Sequence, residues 1–347
     1  MSSIEVKVNS PYSILIERGA LARLGEELKK VTRANKILVV TDTNVQKLYL
    51  ESAKRSLAGY EVHSFVFEAG ERSKTAETYL GIISALGESG FKRTDAVVAL
   101  GGGVVGDVAG FAAATYMRGI DVVQVPTTLL AMIDSSIGGK TGVDLPFGKN
   151  LLGAFYQPKL VLADIAALDT LPEKEWENGI GEGIKYACLA GGKIYDILKD
   201  GLDNGNLEEF VRLCAKYKAD IVAEDEKESG LRKLLNLGHT LGHAIEKQSD
   251  FEVSHGVAVA KGIAVMAHAA LRYGELSKDD CDRIDGLLLK YGFGEMPRID
   301  KSVMSLVAVD KKAEGSNEIS VVTLRGMGNP AVKKLTFDSF ESYIGII

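Results

Sequence analysis

Asp95-Ala96-Val97-Val98-Ala99-Leu100-Gly101-Gly102-Gly103-Val104-Val105-Gly106-Asp107 is the stretch on which the fold turns. The apolar run from Ala96 to Leu100 is short and bounded by glycine, which predicts a buried strand of a parallel sheet. The glycines end the strand, and Val108 to Thr115 predicts a helix of small residues. Strand, glycine turn and helix start together make an anion site. Glycines let the backbone approach a ligand, and the free N–H groups and dipole of the helix start favour phosphate. Gly101, Gly103 and Gly106 fit the dinucleotide spacing formally. The chain has 38 glycines, so a purely structural turn is the competing reading. The run also follows a late strand, whereas the usual fingerprint sits on the first βα turn. A nucleotide pyrophosphate is expected here, outside an ordinary Rossmann order.

Downstream, Gln124-Val125-Pro126-Thr127-Thr128 ends a second apolar strand with hydroxyls. Asp134-Ser135-Ser136-Ile137-Gly138-Gly139-Lys140-Thr141-Gly142 then places an acid, hydroxyls, glycines and a lysine in one short loop, and Gly148-Lys149-Asn150 adds another cation. That combination predicts a phosphate or carboxylate site. Upstream, Ile4–Val8 and Tyr12–Ile16 alternate as a hairpin, and Ala20–Lys30 is an amphipathic helix. Lys36–Val40 is a strand ending at Thr41-Asp42-Thr43-Asn44. Asp42 there suits the ribose hydroxyls of an adenosine or, equally, the cap of the next helix. Ser73 is a candidate cap for a helix running to Leu86. Strand and helix alternate to about residue 165, the pattern of a parallel α/β domain. Beyond Leu171-Pro172 helices dominate, including one from Leu231 to Gln248, with a late hairpin at Glu318–Leu324 and Val332–Leu335. The expected division is an α/β domain, 1–165, and a mainly helical domain, 166–347, with ligand between them.

Composition narrows the partners. A net charge of −6 argues against nucleic acid or an anionic membrane. No run approaches the roughly 18 apolar residues of a membrane span, and the N-terminus lacks a basic, then apolar leader. Cys188, Cys214 and Cys281 are scattered and odd in number, as buried thiols of a reducing compartment are. A cytoplasmic location is expected.

Three of the five histidines fall within seventeen residues, in Asn236-Leu237-Gly238-His239-Thr240-Leu241-Gly242-His243 and Val253-Ser254-His255-Gly256. His239 and His243 share a helix face at i, i+4. With a carboxylate they suit a catalytic zinc site with an open position, and spacing alone leaves open which three side chains ligate. Lys185, three residues after Glu182, points the same way as that carboxylate. Arg232 and Asn236, at i, i+4, would share one face. Clustered cations of this kind need anions between them, so a ligand with a phosphate and a carboxylate is expected. His63 and His268 read as structural.

Leu100 to Val108, Tyr116-Met117-Arg118-Gly119, Gln124 to Met132, Asp134 to Leu145, Gly148-Lys149-Asn150, Gln157-Pro158 and Asp225 to Lys247 together closely resemble the 3-dehydroquinate synthase family, over nearly the whole chain. The resemblance implies a Rossmann-like parallel-sheet NAD domain followed by a mainly helical metal and substrate domain. It implies conversion of 3-deoxy-D-arabino-heptulosonate 7-phosphate to 3-dehydroquinate and phosphate, with NAD+ regenerated each turn, and Zn2+ as the ion, replaceable by Co2+. It assigns Glu182, His239 and His255 to the metal. Asp42, Asn44, Glu71, Lys74, Gly102, Gly103, Val104, Val105, Gly106, Asp107, Thr127, Thr128, Lys140, Lys149 and Thr170 go to NAD. Arg118, Asp134, Lys140, Asn150, Lys185, Lys218, Arg232, Asn236, His255 and Lys312 go to substrate. His243 handles protons and Glu228 accepts one; Lys140, Asn150, Lys185 and Arg232 complete the catalytic set. A homodimer is expected. Three departures stand out. The acidic residue usual shortly after Lys185-Tyr186 is missing from Ala187-Cys188-Leu189-Ala190-Gly191-Gly192. The proline usual before Glu71 is missing from Glu68-Ala69-Gly70. Gly181 replaces an alanine, at a helix cost of under about 1 kcal/mol. Related sugar-phosphate cyclases such as 2-deoxy-scyllo-inosose synthase differ at Ser136-Ile137-Gly138-Gly139-Lys140. Metal-dependent polyol dehydrogenases need fewer anion-binding residues. A catalytically dead NAD sensor should have lost a ligand or the Lys140 and Arg232 pair.

Overall fold

The computed structural model describes residues 2–250, 252–312 and 318–345. They form two compact units, residues 1–171 with 207–227, and residues 172–206 with 228–347.

The first unit is built on a seven-stranded sheet. Its strands are β1 (Ser2–Val6) and β2 (Tyr12–Glu17), then β3 (Lys36–Asp42) after helix α1 (Leu24–Val31), and β4 (Glu61–Phe67) after α2 (Glu51–Ser56). After α3 (Ala76–Glu88) come β5 (Ala96–Gly101), α4 (Gly103–Thr115) and β6 (Asp121–Pro126). A separate hairpin, β7 (Lys140–Leu145) and β8 (Gly148–Phe155), precedes the last sheet strand, β9 (Leu160–Asp164). The order is β1-β2-β9-β6-β5-β3-β4, parallel except for β1 against β2.

Period-two alternation explains the layers. Ile37, Val39, Ala96, Val98 and Leu100 point to one face and pack with Leu24, Leu28, Ala53 and Leu57 of α1 and its neighbours. Leu38, Val40, Val97 and Ala99 point to the other and pack with Ile82, Leu86, Val105, Val108 and Ala109. Both faces are therefore apolar, which is why the strands read as continuous hydrophobic runs.

The helical unit opens with α5 (Glu173–Ala190) and α6 (Gly192–Asp200). Next in the chain, α7 (Leu207–Glu224) packs on β1 and β2 and belongs to the first unit. Glu226 ties its end there, accepting from the Asn9 amide (3.2 Å) and from Gln157 Nε2 (3.0 Å). A single break near residue 165 does not anticipate this return. The chain resumes the helical unit with α8 (His239–Gln248), α9 (His255–Arg272), α10 (Lys278–Lys290), α11 (Lys301–Lys312), the hairpin β10 (Glu318–Leu324) and β11 (Pro330–Thr336), and α12 (Phe337–Ile344). Leu241, Met266, Val303, Ile319, Phe340 and Tyr343 form its core.

Local corrections have local causes. The helix expected from Val108 begins at Gly103, since the glycine turn itself winds into α4. Thr75, not Ser73, caps α3, accepting from the Thr78 amide at 3.3 Å. The expected helix from Leu231 to Gln248 is two segments. A 3-10 turn, Leu231–Asn236, precedes α8, and Gly238 between them has φ 78°. On a 3-10 turn i and i+3 eclipse, so the i, i+4 face argued for Arg232 and Asn236 does not exist. The residues expected to form one loop from Asp134 instead lie partly in β7, and Gly148-Lys149-Asn150 opens β8.

Candidate active site in two units

In the first unit, β3 and β5 are neighbours, while the chain leaves β3 toward β4 on one side and continues from β5 toward β6 on the other. That reversal makes a crevice at the strands' carboxyl ends. Asp42 ends β3 there, and Gly101-Gly102 ends β5. Gly102 is the extended N-cap of α4. A Cβ on Gly102 would lie 3.1 Å from Thr128 Cγ2, and one on Gly103 would lie 3.0 Å from Ser135 Oγ. The turn is thus a close cradle, with the Gly103, Val104 and Val105 amides in the first turn of α4. Gly106 has a different task, since a Cβ there would lie 2.7 Å from Gln124 Oε1 of β6. Around the cradle, Thr41 Oγ1, Thr127 Oγ1 and Ser135 Oγ are buried with no hydrogen-bond partner. Buried hydroxyls seldom stay unpaired, so three orphans beside an open helix start fit an absent polar ligand. A dinucleotide suits the cradle. Asp42 Oδ1 accepts from the Asn44 and Val45 amides, both at 2.9 Å, and so caps its own turn.

Lys74 links this turn to the β7–β8 hairpin. Its Nζ donates to Asp107 Oδ2 and to Asn150 Oδ1, both at 2.6 Å, in an almost fully buried site. Burial opposes its charge, but Asp107 and Glu71 overcome this and hold it above the usual lysine range. Asn150, at φ 56°, is held by its amide donating to Asp144 Oδ1 (2.8 Å). Lys149 Nζ reaches Glu71 Oε1 at 3.1 Å. Nearby in the same unit, Lys218 of α7 pairs with the Asp134 carboxylate and donates to the Asp134 carbonyl at 2.9 Å. Thr170 Oγ1 meets Tyr49 Oη at 2.5 Å. Asn44, Lys140 and Arg118 are exposed. Arg118 stands at the far end of α4, about 20 Å along the helix from the glycine turn, in a left-handed turn at φ 67°. It does not join the groups at the helix start.

The helical unit holds the second centre. Glu182 of α5 is 1% exposed. Its Oε1 lies 3.4 Å from His239 Nε2 and 3.3 Å from His255 Nε2. Around an ion with bonds of about 2.0–2.1 Å, tetrahedral donors sit about 3.3–3.4 Å apart. Two imidazoles and a carboxylate therefore already have the spacing of ligands, and they fit a zinc-type ion. His243 belongs to the cluster too, since nitrogens of His239, His243 and His255 lie within 4.8 Å of one another. Backing contacts orient the rings. His239 Nδ1 faces the Leu237 carbonyl at 3.2 Å, which places its proton there and leaves Nε2 a lone pair. His255 Nδ1 faces Glu246 Oε2 at 3.4 Å. Burial pushes His239 well below the usual histidine range, with Lys185 and the other histidines adding to the effect. Burial also opposes a charged His255, but Glu182 and Glu246 lift it to about 9.

Four glycines let these helices meet. A Cβ on Gly181 would lie 2.0 Å from the Gly256 carbonyl oxygen, and one on Gly256 1.8 Å from the Asn178 carbonyl oxygen. Gly238 is blocked in the same way, with a Cβ there 2.6 Å from the Val259 carbonyl oxygen, and a Cβ on Gly242 would pack tightly on the Val259 backbone at 3.1 Å. Gly181 is thus required for close approach of α5 and α9, and its helix-propensity cost is secondary. Asn178 adds a bond from the Gly256 amide (2.7 Å) that fixes the start of α9 beside His255.

Lys185 Nζ lies 2.6 Å from Glu182 Oε2, and both side chains are almost fully buried. Arg232 is 1% exposed. Asn236 Nδ2 donates to Glu228 Oε1 at 2.6 Å, and Glu228 has φ 61°. His63 pairs with Glu61 and His268 with Asp285. The Lys312 side chain lies outside the described residues. Glu246 and Asn178 were missed by sequence reasoning, whereas Ser135 falls within the stretch 134–142 read as an anion site. Glu246 had one faint signal, its place three residues after His243 on the same helix.

An α/β unit with a glycine cradle followed by a helical unit with a Glu-His-His cluster is an architecture this chain shares with sugar-phosphate cyclases. The family descriptions "3-dehydroquinate synthase N-terminal" and "3-dehydroquinate synthase C-terminal" match residues 64–178 and 179–313. A 3-dehydroquinate synthase of Pelobacter propionicus is 42% identical over 100% of this chain and 99% of its own. Among solved structures, 2-deoxy-scyllo-inosose synthase complexed with carbaglucose-6-phosphate, NAD+ and Co2+ superposes with a TM-score of 0.88 at 26% identity, covering 99% of both chains. The 2-epi-5-epi-valiolone synthase of Streptomyces hygroscopicus, with NAD+ and Zn2+ bound, gives 0.86 at 27%, covering 99% and 98%. The chain belongs to the 3-dehydroquinate synthase family. No helix among the described residues is long and apolar enough to cross a membrane.

Proposed function

We propose that this chain is a lyase that converts 3-deoxy-D-arabino-heptulosonate 7-phosphate to 3-dehydroquinate and phosphate, in the shikimate route to aromatic amino acids. The observation that carries the reading is the buried Glu182, set among His239, His255 and Lys185. It puts a metal-type donor set beside a fixed cation, which suits an oxidisable hydroxyl on an anionic substrate. When bound, NAD+ supplies a reversible hydride acceptor, and a divalent ion, Zn2+ or Co2+, supplies the Lewis acidity that eases hydroxyl deprotonation.

The residues divide the remaining work. Glu182, His239 and His255 hold the ion. The turn from Gly102 to Asp107, with Asp42, Asn44, Glu71, Lys74, Thr127, Thr128, Lys140, Lys149 and Thr170, holds the dinucleotide. Lys185, Arg232, Asn236, Lys218, Asn150, Lys140 and Lys312 hold the substrate's phosphate and carboxylate, and Asp134 contacts the substrate; Arg118, at the far end of α4, lies apart from this set. His243 moves protons at the substrate hydroxyl, and Glu228 accepts one. A ketone next to the C–H would acidify it so that phosphate leaves by elimination, and the turn from Gly102 to Asp107 would hold NAD+ for hydride transfer in both directions. Ring opening and an intramolecular aldol step close the carbocycle, so redox is balanced within each turnover. A cytoplasmic homodimer is part of this reading.

The test runs a phosphate assay beside NADH absorbance, with NAD+ well below substrate. Many turnovers with one phosphate each and no NADH accumulation are expected. NADH growing in step with product would replace the cyclase by a dehydrogenase.

A further inference from the structure

The α9–α10 hairpin carries a second cluster of ligand-type side chains, about 20 Å along α9 from His255. The short connection of residues 273–277 makes the two helices antiparallel neighbours. Ser277 starts α10, its Oγ accepting the Asp280 amide at 3.1 Å. One turn later comes Cys281, and Asp285 follows at i+4 on the same face. Opposite them on α9 stands His268. Its Nε2 lies 3.1 and 3.0 Å from the two Asp285 carboxylate oxygens. One donor atom each from His268, Cys281 and Asp285 lies within 4.8 Å of the others. Cys281 is 1% exposed, while the His268 and Asp285 side chains are 45% and 40% exposed. The thiol forms a floor, and the imidazole and carboxylate form a rim open to solvent.

A surface ion pair accounts for His268 and Asp285, but not for a thiol at their base. Thiolate, imidazole and carboxylate are together the donor set of a borderline-soft divalent ion. We propose that His268, Cys281 and Asp285 form a second metal site, taking an ion of the Zn2+ class with water in the fourth position. On binding, the S–H bond of Cys281 breaks, its proton goes to solvent and a sulfur–metal bond forms; no electron is transferred. The rim is exposed, so His268 and Asp285 can part by the few tenths of an ångström that an ion between them requires.

Cobalt separates this site from the first. The Glu182 centre offers only nitrogen and oxygen donors, so a near-ultraviolet sulfur-to-cobalt charge-transfer band reports Cys281 alone. Metal-free protein titrated with Co2+ should show that band and take up two ions per chain. His239→Ala should keep the band while losing the other ion. Cys281→Ser should abolish the band. His268→Ala should weaken the band-forming step at least tenfold and leave turnover at its basal level. Should Cys281→Ser fail to fold, His268→Ala on the exposed rim carries the test. Absence of the band at saturating Co2+, or an unchanged titration in His268→Ala, overturns the proposal.

Discussion

Glu182 is a carboxylate that folding alone would not bury. At 1% exposure its desolvation must be offset by the cations and imidazoles around it. Removing one imidazole should therefore affect the ion first. His239→Ala is expected to lose bound metal and turnover together, read by metal analysis of the purified protein. His243→Ala should keep the metal and turn over roughly 10²–10⁴-fold more slowly, the usual loss of a general acid or base. A full metal complement in His239→Ala would reassign the ligands. The histidines were legible because three of five crowd into one stretch. Glu246 was not, because its approach to His255 runs between α8 and α9, a tertiary contact that no local spacing records. Asn178 was hidden for the same reason.

At the scale of the helix, the clustered carboxylate and imidazoles are placed by the glycines next to them in sequence: Gly181 by Glu182, Gly238 by His239, Gly242 by His243 and Gly256 by His255. Gly256→Ala forces a methyl group to 1.8 Å from a backbone oxygen, which cannot rotate away as a side chain would. It should cost roughly 3 kcal/mol, seen as a lower midpoint in chemical denaturation, and should weaken metal binding with no ligand altered. Gly286 in α10 is exposed, and a Cβ there would meet nothing within 4 Å, so Gly286→Ala should instead stabilise by roughly 0.5–1 kcal/mol. Equal effects of the two substitutions would show that propensity, not approach, sets the requirement. Periodicity located most helices within a turn, but it merged Leu231–Asn236 with α8. Only the packing of Gly238 against Val259 and Ile263 reveals that break, and the sequence offers just another glycine.

For the whole molecule, each unit has its own core and its own polar network. Lesions should therefore separate. Asp107→Ala removes a partner of the buried Lys74 and should weaken NAD+ binding roughly tenfold, about 1.4 kcal/mol, with metal content unchanged. His239→Ala should bind NAD+ normally in the same titration. Loss of both ligands in either variant would argue against independent sites. The alternation of strand and helix made the sheet legible, since both its faces are buried. The return of α7 to that sheet was not, because its apolar face reads the same whichever unit it covers. This path has a consequence during synthesis. All seven strands have been made by Asp164, yet the first unit lacks α7 until residue 227 leaves the ribosome. By then α5 has emerged carrying Glu182, with neither His239 nor His255 yet out of the ribosome. Lys185, one turn along the same helix, is the countercharge already at hand. The nascent chain thus carries its most deeply buried acid with a chaperone of its own sequence.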